Sequence, residues 1–163
     1  MTDLTIRPAT MEDAVALNAL ISGHQREGHL LPRNLDELRR NAKRFIVCDV
    51  AGEITACAEL PPLSAEVAEV RSLVVARHFR RVGLAARLVD ELRKRAKATG
   101  YETLCAFTHD ARFFVRQNFS IVPHLCGPLL FLKQGVDDLQ AANLVREQGA
   151  EPAPEALPSA QYR

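Results

Sequence analysis

The chain has 163 residues, enough for one domain with a full core. At 47% apolar and 25% charged residues it has the balance of an ordinary soluble protein, and a net charge of +1 excludes the strong overall field of a nucleic-acid or membrane-surface binder. No apolar run reaches the ~18 residues that a membrane span requires, and Met1 to Leu4 shows no positive segment leading into an apolar one, so no secretory leader is expected.

The first predicted strand is Leu4 to Arg7, stopped by Pro8. Thr10 and Asp13 have capping-box spacing, and Ala14, Leu17, Leu20 and Ile21 then recur at helical spacing. Gly23 and Gly28 break that pattern, and Asn34 is placed to cap a second helix carrying Leu35 and Leu38. Phe45 to Val50 and Glu53 to Ala58 flank Ala51-Gly52 as a β-hairpin, with Pro61-Pro62 ending its second strand. Glu69 to Val75 reads as one further strand.

Gly83 to Thr99 is the best helix in the chain. Leu84, Leu88 and Leu92 line one face, Arg93, Lys94, Arg95 and Lys97 complement the dipole near its end, and Gly100 is placed to close it. A buried strand at Thr103 to Thr108, a short helix at Ala111 to Gln117, and strands at Ile121-Val122 and Leu129 to Leu132 follow. Val136 to Gln148 patterns as a terminal helix. The Pro- and Ala-rich stretch 149–163 has too little to bury to order itself, so residues 1–148 are expected to be the domain and 149–163 a flexible tail. There is no internal repeat.

The four cysteines, Cys48, Cys57, Cys105 and Cys126, form no Cys-x-x-Cys pair, so no zinc site is expected. Three of them lie in strand-like apolar runs, as reduced core thiols of a cytoplasmic protein would.

The chemistry is concentrated in Val70 to Ala85. An apolar strand enters a basic loop, and a glycine opens a long amphipathic helix. The first turn of such a helix has N–H groups without intrahelical acceptors, which with the dipole make an anion site. Small residues at Gly83 and Ala85 let a phosphate approach the backbone, and Arg80 and Arg81 add positive charge. Elementary chemistry alone reaches a phosphate site after a strand.

Arg80-Arg81-Val82-Gly83-Leu84-Ala85 resembles the acetyl-CoA signature Arg/Gln-x-x-Gly-x-Gly/Ala of the GCN5-related N-acetyltransferases (GNAT), and the order of elements over residues 4 to about 132 is similar to that family's. Gly28-His29-Leu30-Leu31-Pro32-Arg33, Glu69-Val70-Arg71-Ser72-Leu73, Thr108-His109 and Phe113-Phe114 look like the short amino-acid N-acetyltransferases, which include the N-acetylglutamate synthase domains. The resemblance implies an α/β fold with a mixed, mostly antiparallel central sheet flanked by helices. It implies direct transfer of an acetyl group from acetyl-CoA to a primary amine in a ternary complex, with no metal and no acetyl-enzyme. The acceptor it points to first is the α-amine of an amino acid such as glutamate. A protein or other small amine is the alternative, as is an acetyl-CoA-binding regulatory module without turnover. Dimers are common among relatives, so a homodimer is allowed; neither nucleic acid nor membrane is an expected partner, because CoA phosphates account for the cluster Arg77-His78-Arg80-Arg81.

By that resemblance, the backbone N–H groups of Arg81, Val82, Gly83, Leu84 and Ala85 hold the pyrophosphate, with Arg80 leading into this cofactor-binding turn. Those of Leu73, Val74 and Val75, at a splay in the sheet, pair with the pantetheine arm and polarise the thioester carbonyl. The amine must be neutral to attack, so a general base is required. Glu59 at the end of the third strand and Glu69 near the start of the fourth are the candidates, with Ser72 on the same path; each is otherwise an ordinary strand residue. Arg33 and Arg71 are candidates to grip a substrate carboxylate, otherwise forming salt bridges. His109 and Arg112, after the fifth strand, face substrate or cap and solvate a helix. Two departures stand out: the family's thiolate-protonating tyrosine is replaced by Phe113 and Phe114, and its glycine before Phe119 by Asn118, which follows Gln117.

Overall fold

The computed structural model describes residues 3–25, 30, 32–122 and 130–136. The expected terminal helix beyond Val136, the tail 149–163, Cys126, and Gly28, His29 and Leu31 of the quoted segment lie outside the described residues. The chain divides into two compact units, Met1–Leu60 with Ser72–Leu92, and Pro61–Arg71 with Arg93–Arg163.

In the first unit, β1 (Leu4–Pro8), β2 (Phe45–Val50) and β3 (Glu53–Glu59) form an antiparallel meander. β5 (Arg71–Val75) completes the four-stranded sheet in the order β1-β2-β3-β5. The predicted hairpin turn forms with Ala51 at φ 52° and Gly52 at φ 89°, the two left-handed residues that match strand twist. α1 (Ala14–Gly23) buries Ala14, Leu17, Leu20 and Ile21, the stripe read from spacing. They pack with Leu38, Phe45, Val47, Cys57 and Val74 in one cluster. α2 (Leu35–Asn41) starts where Asn34 Oδ1 accepts from the N–H groups of Asp36 at 2.8 Å and Glu37 at 3.4 Å. At the head of α1, Asp13 Oδ2 accepts from Thr10 N–H at 2.7 Å. The same carboxylate takes Arg7 at 2.8 Å, and Arg7 also reaches Asp49 at 3.0 Å.

In the second unit, β4 (Val67–Glu69) pairs in parallel with β6 (Thr103–Thr108), and β8 (Leu130–Gly135) pairs antiparallel with both β6 and β7 (Ser120–Val122). α4 (Arg112–Arg116) precedes a turn in which Phe114 stacks edge-on between Phe113 and Phe119, at centroid distances of 5.1 and 5.2 Å. α3 (Leu84–Thr99), whose residues up to Leu92 fall in the first unit and from Arg93 in the second, is the long helix of the sequence reading, burying Leu84, Leu88, Val89, Leu92 and Ala96. Gly100, at φ 99°, closes it, with its own N–H and that of Tyr101 both donating to the Ala96 carbonyl.

The single strand expected over Glu69 to Val75 is corrected to two. Val70 N–H donates to Cys105 O at 2.8 Å, continuing the β4–β6 ladder, and the chain then enters the first sheet through Ser72 at φ 51°. A non-glycine residue there costs about 1–2 kcal/mol, so something must hold it.

Candidate active site

The turn read from sequence as an anion site follows β5. After Val75 the chain makes a 3-10 turn over Arg77–Phe79, and Arg80 folds back so that its Nε donates to Val75 O at 3.0 Å. Arg81 at φ 65° and Gly83 at φ 81° then turn the backbone into α3. Leu84, Ala85 and Ala86 open that helix, so their N–H groups have no intrahelical acceptor. Arg80, Arg81, Val82 and Gly83 are exposed, and a Cβ added at Gly83 would meet nothing within 4 Å. Gly83 is therefore required by backbone angle, not by crowding within the chain. The open, donor-rich face is one that a pyrophosphate fits.

Beneath β5 lies a buried polar cluster. Glu59 and Ser72 are both buried in this apolar unit. Arg33, with its side chain only 7% exposed, joins them: Nη1 donates to Glu59 Oε2 and to Ser72 Oγ, each at 2.8 Å. Its Nη2 and Nε donate to Glu37 Oε1 and Oε2 at 2.7 and 3.3 Å, and its guanidinium sits 5.7 Å from the Phe45 ring centroid. Burial works against the Arg33 charge, but Glu59 and Glu37 outweigh it and raise its pKa. Glu59 Oε1 is buried with no hydrogen-bond partner among the described residues. Cys57 Sγ donates to Ser72 O at 3.4 Å; burial, then the Glu59 charge, push that thiol up to about 12.

In the second unit, Arg71 donates to Glu69 Oε2 through Nη2 at 2.8 Å and Nε at 3.3 Å. Glu69 is buried beside Cys105, whose thiol burial and the Glu69 charge push up to about 12. Cys57 and Cys105 therefore stay protonated near neutrality and are core thiols. His109 is exposed just past β6, and Arg112, also exposed, pairs with Asp110 at 2.8 Å, which holds the Asp110 carboxyl down to about 2. No group of three or more metal-ligating side chains occurs among the described residues, and none of their helices is long and apolar enough to cross a membrane.

The family model described as "Acetyltransferase (GNAT) family" matches residues 11–119. The chain belongs to the GNAT family. An uncharacterized N-acetyltransferase of Chlorobaculum tepidum is 27% identical over 117 residues, 72% of this chain and 76% of that one. An amino-acid acetyltransferase of Pseudomonas putida is 33% identical over 117 residues, 71% of this chain; this chain spans only 27% of that longer protein. Among solved structures, N-acetylglutamate synthase of Neisseria gonorrhoeae, complexed with coenzyme A and N-acetyl-glutamate, has a similar fold. Its TM-score is 0.75 at 21% identity, covering 85% of this chain and 36% of that one.

In this GNAT chain Arg80 to Ala85 form a tight turn into α3, and the two arginines read as carboxylate grips each already face a carboxylate of the chain itself. Arg33 meets Glu37 and Glu59, and Arg71 meets Glu69. Arg33, Glu59 and Ser72 converge in one cluster; Glu69 and Arg71 form another, while Arg112 pairs with Asp110. Glu37 was missed from sequence, although its spacing of four from Arg33 across a helix start is a readable signal. The departure at Asn118 is absorbed by the fold. Asn118 stands at φ 68°, the conformation that favours glycine and that asparagine tolerates best among other residues. Gln134 Nε2 then donates to the carbonyls of Gln117 at 3.0 Å and Asn118 at 3.2 Å.

Proposed function

We propose that this GNAT chain transfers an acetyl group from acetyl-CoA to the α-amine of an amino acid, with an acidic amino acid such as glutamate as the first acceptor to test. The observation that carries the acetyl-CoA part is the turn from Arg80 into α3, where Arg81 and Gly83 hold positive φ and a Cβ at Gly83 would meet nothing within 4 Å. The amino-acid part rests on the 33% identity to the amino-acid acetyltransferase of Pseudomonas putida.

Acetyl-CoA supplies the thioester. The backbone of Leu73 to Val75 polarises its carbonyl, and the N–H groups from Arg81 to Ala85 anchor the pyrophosphate. Glu59 is the base this reading favours: Arg33 neutralises one oxygen and Oε1 is left to take a proton, relayed by water because the carboxylate is buried. As the amine nitrogen bonds the carbonyl carbon, the C–S bond breaks and the thiolate draws a proton from water, since Phe113 and Phe114 offer no hydroxyl. Arg71, whose Nη1 is not used toward Glu69, is the residue left to meet a substrate carboxylate.

Thiol release from acetyl-CoA, measured against amino acids and small amines, tests this. Release with an acidic amino acid is expected, and Arg71→Ala is expected to raise KM for that amino acid by about ten-fold or more with little change for acetyl-CoA. A melting temperature raised by acetyl-CoA with no amine consumed would sink the small-amine reading in favour of a protein acceptor or a module without turnover.

A further inference from the structure

Four of the five N–H donors of Arg33 are committed within the chain: Nε and one on Nη2 to Glu37, and both on Nη1 to Glu59 and Ser72. A bidentate grip needs two parallel N–H groups on one edge of the guanidinium, and no edge has both free. What the arginine does hold is unusual. Ser72 lies inside a strand at φ 51°, where its neighbours are extended. Its Oγ accepts from Arg33, 39 residues away in sequence, and its carbonyl accepts from Cys57. The two contacts hold both its side chain and its peptide plane.

We propose that Arg33 is a positioning residue: it pins Ser72 at its left-handed backbone angle in β5 and so sets the direction of the Leu73–Val75 backbone that follows. A left-handed residue inside a strand re-aims the backbone beyond it. Arg33 reaches the Ser72 hydroxyl and Cys57 its carbonyl, while pairing with β3, extended by the Ala76 N–H to Thr55 O bond of 2.8 Å, holds the rest of the strand. Within that pairing the angle at Ser72 sets where β5 turns. Glu37 and Glu59 act on Arg33 from α2 and β3, holding its plane so that Nη1 reaches Ser72. The inference draws on the acetyl-transfer reading only in taking Leu73–Val75 to line the acetyl-CoA arm.

The test is Arg33→Lys, which keeps a cation beside Glu59 but cannot bridge Glu59, Glu37 and Ser72 in one plane. Calorimetric titration with CoA alone, no amine present, is expected to show affinity weakened by about ten-fold. Adding Ser72→Gly to Arg33→Lys is expected to recover most of that loss, because glycine adopts positive φ without a clamp. Unchanged CoA affinity in Arg33→Lys, with a raised KM confined to acidic amines, would overturn the proposal and return Arg33 to substrate binding. A ligand-free arm separates this from failure of the functional reading. Amide hydrogen exchange at Leu73–Val75 is expected to quicken in Arg33→Lys and slow again in the double variant. If the parent bound no CoA, the acetyl-transfer reading would fall while the exchange result still decided the role of Arg33; exchange rates equal to the parent's would overturn it.

Discussion

Gly83 carries the most specific demand of any single position in the site. At φ 81° an L side chain is strained, yet nothing of the chain stands within 4 Å of a Cβ placed there. A substitution is therefore expected to act on the turn before it acts on the core. Gly83→Val should lower the melting temperature by only a few degrees, from about 1–2 kcal/mol of backbone strain. The same change should weaken CoA binding by more than about ten-fold, since the strained turn no longer presents its N–H groups at phosphate distance. Differential scanning fluorimetry beside CoA titration measures both; equal losses in each would mean that the glycine serves the fold alone. Ser72 makes the contrasting demand. It occupies the same region of backbone angle without glycine's freedom and relies on a partner instead.

At the scale of elements, the turn between α4 and β7 offers its own test. Asn118 at φ 68° and the Gln134 amide together close the end of α4. Asn118→Gly is expected to change stability by less than about 0.5 kcal/mol, whereas Asn118→Val should cost about 2 kcal/mol, read by urea denaturation. Elements built by local rules were legible in the sequence. Asn34 caps α2, Ala51-Gly52 turns the hairpin, Gly100 ends α3, and the apolar stripes of α1 and α3 face inward, because each signal lies within a few residues of its effect. The division of Glu69 to Val75 into β4 and β5 was not legible. Its causes are a Cys105 carbonyl and an Arg33 side chain, far along the chain, and serine carries none of the warning that glycine does. The same distance effect hid the pairing of Arg33 with Glu59. Sequence marks an arginine as a charge, and only burial and neighbours show whether that charge is already satisfied.

For the whole molecule, the ion cluster of Arg7, Asp13 and Asp49 makes stability depend on acid. The hydrogen bond from Arg7, against a smaller effect of burial, holds Asp13 below its ordinary value of 3.8. A carboxyl depressed on folding stabilises the native state above its unfolded value and loses that contribution as pH falls through its folded one. Asp13→Asn is thus expected to cost roughly 1 kcal/mol at pH 7, the modest figure of a part-buried pair, and less at pH 2. Urea midpoints at the two pH values check the sign, and a cost that persists in acid would assign Asp13 a packing role instead. The order in which strands join each sheet has a different consequence. β1, β2 and β3 are successive strands and sheet neighbours, so their meander is complete within the first 59 residues, with β2 and β3 joined by a tight turn. β4 pairs with β6 in parallel, and β8 sits between β6 and β7, so the second sheet waits for strands separated by the whole of α3 and beyond. During synthesis the first three strands can collapse as they leave the ribosome. β4 must emerge and wait, with only its local bridge to Pro62, until β6 is translated, which leaves that short edge open to misassociation in the nascent chain.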